Sequence, residues 1–146
     1  MFINIDNMVL HIIPNRLISD LQKEFNDAFT FLKLEFFYNK NLSRSEFSSA
    51  SIIPHNRKIG DGQTANATGE VEINGEMKVN ELESIFMKKF ALLVQVFRKS
   101  GNLWLETTMT DNWTLHQQNN HGREISTETK NRNEDIDYDL NRDADH

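Results

Sequence analysis

Apolar residues recur along this chain at two alternating spacings. From Ile18 they fall at Leu21, Phe25, Phe29 and Leu32, and from Val79 at Leu82, Phe86, Phe90 and Leu93. Steps of three and four place each set on one face of a helix, and packing in a core is what such a stripe predicts. After each run the spacing drops to two. Lys33–Tyr38 and Val94–Arg98 have the alternation, length and composition of strands. The segment Ile18–Phe36 aligns without a gap on Val79–Phe97, and the match continues at Asn41/Asn102 and Leu42/Leu103. The chain therefore carries an internal repeat, 18–42 and 79–103.

Further strands are expected ahead of each helix, at Phe2–Ile5 and at Glu70–Ile73, which ends in Asn74-Gly75. The apolar run Met8–Ile13 is broken by His11 and is too short to span a membrane, so it reads as the start of the fold. Ser19 with Gln22, and Asn80 with Glu83, have the spacing of a capping box at the start of each helix. Gly101-Asn102 predicts a tight hairpin turn leading into a strand at Leu103–Thr107. A last helix is expected from about Thr110 or Asp111 through Asn120, with Gly122 as its stop. Between the repeats, 43–69 reads as a long loop with a short strand at Ser51–Ile53 and a second at Lys58-Ile59. These elements predict an α+β fold in which two repeated strand–helix–strand units share one sheet. The arrangement is a ferredoxin-like two-layer sandwich with an extra hairpin strand and a C-terminal helix.

Composition narrows the setting. At 146 residues with 38% hydrophobic and 26% charged positions, the chain suits one soluble domain. That domain is expected over 1–125. The acidic segment 126–146 holds Glu128, Glu134, Asp135, Asp137, Asp139, Asp143 and Asp145 against three basic residues, and is expected to be disordered. The absence of Cys removes disulfides, thiolate metal sites and a Cys nucleophile, and suits a cytoplasmic setting.

Catalytic signatures are missing. No nucleophile elbow, zincin helix, phosphate loop or dinucleotide fingerprint occurs. His116 and His121 lie five apart, on different faces of a helix, which suits a shared metal poorly. Asp111, His116 and Glu124 form an acid–base group only by proximity in sequence, so neither an enzyme nor a cofactor is expected; an enzyme or ligand binder using His116 is one alternative. The most suggestive surface feature is the hairpin Phe97–Trp104, with Arg98 and Lys99 beside an indole. Arg57 and Lys58 form another basic pair. Cations with an aromatic can neutralise phosphate and stack on bases, so a small nucleic-acid-binding domain using Arg98, Lys99, Arg57 and Lys58 is the other alternative. The net charge of −6 argues against independent binding to nucleic acid. An edge strand at Leu103–Thr107 would leave unpaired backbone groups for a second copy or another protein, with Phe97, Arg98, Lys99 and Trp104 as interface candidates.

The block Val94–Leu115, with Gln117–Asn119 behind it and the Leu32–Phe37 stretch before it, resembles a group of small uncharacterised bacterial proteins. The resemblance spans most of 15–125 and leaves out the acidic segment. The chain is also similar to small accessory proteins encoded beside type II CRISPR effector nucleases. That similarity implies a homodimer that bridges copies of an RNA-guided nuclease, raises its activity and serves antiviral defence. The expected function is thus a non-enzymatic, homodimeric accessory protein that binds a larger protein, touching nucleic acid only indirectly.

Overall fold

A computed structural model describes residues 7–38, 51–62 and 67–127. The chain runs β1 (Met8–Ile12), α1 (Ile18–Ala28), β2 (Leu32–Phe37), a 3-10 turn (Ile59–Gly62), β3 (Gly69–Ile73), α2 (Val79–Phe90), β4 (Leu93–Ser100), β5 (Leu103–Glu106), a second 3-10 turn (Thr108–Thr110) and α3 (115–127). The fold is α+β, with three helices and two antiparallel sheets, consistent with two layers. The strands do not share one sheet as expected. β1 pairs with β3, and β2–β4–β5 form a separate sheet. The expected strand at Phe2–Ile5 and most of the acidic segment lie outside the described residues.

The helix starts are held by backbone, which corrects the expected capping boxes. Neither α1 nor α2 has a side-chain cap. Instead, the N–H groups of Ile18 and Ser19 donate to the carbonyls of Arg57 and His55 (both 2.9 Å). Those of Val79 and Asn80 donate to Trp113 and Asp111 (3.0 and 2.8 Å). The favour is returned: Ile59 and Gly60 donate to Arg16 and Pro14, and Leu115 and His116 to Met77 and Gly75. Each helix start is thus clasped to a later turn, and orphan amides at both are satisfied together. Gln22, freed from capping, donates to Leu34 O (2.7 Å), and Asn26 donates to Leu32 O (2.9 Å). These two amides cover carbonyls on the outer edge of β2.

A capping box does occur at α3. Gln117 N–H donates to Thr114 Oγ1 (3.1 Å), while Thr114 N–H donates to Gln117 Oε1 (2.9 Å). Gly122 is not its stop, because the helix continues to residue 127. Gly122 is buried where α3 crosses the β2–β4 end of the sheet. A Cβ there would stand 2.9 Å from Phe31 Cβ and 3.2 Å from Lys99 O.

The first and second halves of the chain are joined by strand pairing, β1 with β3 and β2 with β4. Leu10 stands opposite Val71, and Leu34 opposite Val96, each near the centre of its ladder. The apolar stripes of both helices face inward, since Leu21, Phe25, Phe29, Leu82, Phe86 and Phe90 are all buried in one core. Phe36 meets Phe86 edge to face at 5.8 Å, which ties β2 to α2. The gapless alignment fails by one residue after the helices. Leu32, Leu34 and Phe36 face the core opposite Arg98, Val96 and Val94, so Phe97 points to the other face of the sheet. The extra residue is absorbed where α2 ends on Ala91, in the left-handed conformation (φ 52°).

Candidate functional site

Strand β5 is the outer strand of its sheet, and the hairpin before it turns at Gly101 (φ 63°) and Asn102. Ladder geometry settles which of its groups are unpaired. Lys99 N–H donates away from β5, to Phe31 O (2.9 Å), and Lys99 stands opposite Trp104. In an antiparallel ladder this makes 99/104 and 97/106 the pairs without mutual bonds. The N–H and C=O of Trp104 and Glu106 therefore point outward, and among the described residues no hydrogen bond reaches them. Leu103 is 65% exposed and Leu105 40%, and Met109 just beyond is 95% exposed. An open edge flanked by exposed apolar side chains is what chains use to add a strand.

The outer face of the same hairpin carries a cation–aromatic cluster. Lys33 Nζ lies 5.0 Å from the Trp104 ring centroid and 5.6 Å from that of Phe97, and pairs with Glu35 at 3.2 Å. Trp104, Phe97 and Lys99 are half-buried. A groove of about 610 Å³ runs from this cluster past the β2 edge to α1, with Gln22, Lys23, Asn26 and His55 on its walls. Its two lysines are already neutralised, Lys33 by Glu35 and Lys23 by Asp27 (2.8 Å), so it offers little charge to a phosphate.

Arg98 departs from its expected place. It faces the opposite side from Phe97, Lys99 and Trp104 and is tucked under α3. There Nη1 donates to Gln118 Oε1 (2.9 Å) and the guanidinium lies 6.0 Å from the Trp113 ring. Burial lowers the pKa of Arg98 from its ordinary value. This residue anchors a helix rather than offering a free surface cation. Arg57 and Lys58 are exposed on the turn clasped to α1, and Lys58 bridges Leu17 through its backbone. Sequence reasoning missed Lys33 and the leucines of β5. The signal was available: Leu103-Trp-Leu105 is apolar on both faces of a strand that one sheet can cover on only one.

Among the described residues the histidines do not assemble a site. His121 stacks edge to face on Trp113 (5.5 Å), and His116 is exposed on the first turn of α3. Among the described residues no group of three His, Cys, Asp or Glu side chains could hold a metal, and no helix is long and apolar enough to cross a membrane. No protein-family model, curated protein or solved structure matches the chain.

Proposed function

We propose that this chain is a non-enzymatic, cytoplasmic accessory protein that works by binding protein through the β5 edge. It dimerises and engages a larger partner, for which the resemblance to CRISPR-associated accessory proteins nominates an RNA-guided nuclease. The observation that carries the reading is the open edge of β5, with the outward groups of Trp104 and Glu106 beside exposed Leu103 and Leu105. The molecule beneath it reads as a duplicated unit. Each unit has the strand–helix–strand order of a ferredoxin-like half, and like strands pair across the two. Support comes from the pairing of β1 with β3 and β2 with β4, and from the two matching clasps.

Glu106→Pro tests the edge. Proline removes an outward N–H without breaking a bond to β4, and is tolerated on edge strands. Light scattering should give twice the chain mass for wild type at micromolar concentration and one chain mass for the variant, with the same far-UV circular dichroism. Capture of a purified effector nuclease encoded beside the chain should likewise be lost. A wild-type monomer that captures the nuclease equally well with and without Glu106→Pro would remove β5 as the binding surface.

A further inference from the structure

We infer that two copies pair antiparallel through β5 in one register, with Trp104 opposite Glu106 of the second copy and Leu105 opposite its own counterpart on the two-fold axis. This rests on the edge-binding reading above and goes beyond it by fixing the occupant and the contacts.

Hydrogen bonding leaves three symmetric choices, because only Trp104 and Glu106 point both backbone groups outward. Placing Glu106 opposite Glu106 sets two carboxylates against each other, which is unfavourable directly across strands. Placing Trp104 opposite Trp104 leaves Glu106 across from Asn102, a turn residue, so only one full pair forms. The third choice uses every outward group and closes two complete pairs. It also matches charge. Glu106 of the second copy arrives beside a Trp104 that has Lys99 directly opposite, while Lys33, 5.0 Å above the ring, is already paired with Glu35. Glu106 makes no ion pair within its own chain among the described residues. On the other face, Leu105, 40% exposed in the single chain, meets its own copy at the closest point of the ladder. The edge is thus complementary to itself in backbone, charge and apolar contact, as an isologous interface requires.

The chain has no cysteine, so single substitutions report single positions. Trp104→Cys, Leu105→Cys and Glu106→Cys would be oxidised separately and resolved on a non-reducing gel. Only Leu105→Cys should give a disulfide dimer as its main species, since residues facing each other on the axis lie within disulfide reach. Unsubstituted protein provides a second readout. Zero-length carbodiimide coupling of a mixture of ¹⁴N and ¹⁵N copies should link Glu106 of one isotope to Lys33 or Lys99 of the other. A dimer that cross-links mainly at residue 104 or 106, or that yields no mixed-isotope link at Glu106, overturns the register while leaving the edge reading intact. A chain that stays monomeric yet loses its nuclease partner on Glu106→Pro overturns the second copy as occupant and retains the edge.

Discussion

Ala91 and Gly122 show how single positions carry the tertiary arrangement. Ala91 ends α2 with φ 52°, a conformation that costs an alanine about 1 kcal/mol and a glycine almost nothing. Ala91→Gly should therefore raise stability by about 0.5–1 kcal/mol, read as a shift in denaturant midpoint. Gly122→Ala should act in the opposite direction despite the better helix propensity of alanine. Its new methyl group would meet Phe31 Cβ at 2.9 Å and the Lys99 carbonyl at 3.2 Å, and backbone cannot rotate away. A loss of about 1–3 kcal/mol is expected, as for overpacked cores. At Phe86, which touches both Phe36 and Phe90, truncation to alanine should cost about 3–5 kcal/mol. The burial of Phe86 was legible, because periodicity reports which face of a helix is apolar. The role of Gly122 was not: the sequence shows a glycine near a helix end, and only the crossing of α3 over Phe31 and Lys99 distinguishes a packing contact from a stop.

Elements show where local patterns lose to tertiary contacts. Ser19/Gln22 and Asn80/Glu83 had capping-box spacing, yet the backbone of a distant turn took their place at both helix starts. Thr114/Gln117 has the same spacing and forms the box. Nothing local separates these cases, since the competing carbonyls of His55, Arg57, Asp111 and Trp113 arrive only on folding. β2, β3, β4 and the hairpin to β5 were legible because alternation and Gly-Asn turns are local signals. β1 was not: Met8–Ile12, read only as the start of the fold, is the strand that pairs with β3. The strands expected at Ser51–Ile53 and Lys58-Ile59 are isolated bridges. Arg98 was misplaced because the helix that covers it comes twenty residues later in sequence. Its substitution separates folding from association. In Arg98→Glu a carboxylate would face Gln118 Oε1, and the amide cannot turn round because Nε2 is held by Thr110 O (2.8 Å) and Oγ1 (2.7 Å). A loss of about 2–3 kcal/mol is expected from the stranded buried groups, with a change in near-UV circular dichroism as Trp113 loosens. Trp104→Ala should instead leave stability within about 1 kcal/mol and weaken dimerisation. Equal loss of folding in both variants would mean that Trp104 is structural too.

At the scale of the whole molecule, the division of labour between clasps and ladders sets what each half can do alone. Each clasp lies within one half of the chain: α1 is held by 55–57, and α2 by 111–113. The long ladders run between the halves, β1 with β3 and β2 with β4. A half on its own would therefore keep its helix start but expose β1 and β2, or β3 and β4, along an unpaired edge beside an uncovered Phe stripe. Neither half buries enough apolar surface to offset its ordering entropy without the other. Cutting the chain between the halves, within 63–66, leaves both clasps and all three ladders intact once they meet. Fragments 1–64 and 65–146 should each show little native structure by circular dichroism. Mixed at equal concentration, they should form a 1:1 complex with the far-UV spectrum of the intact chain. The melting temperature of that complex should rise with concentration, because association now contributes to folding. A cooperative melt of 65–146 by itself would show that β4–β5, α2 and α3 already suffice for a core, and the interlocked pair of halves would give way to one folded domain with an appended arm.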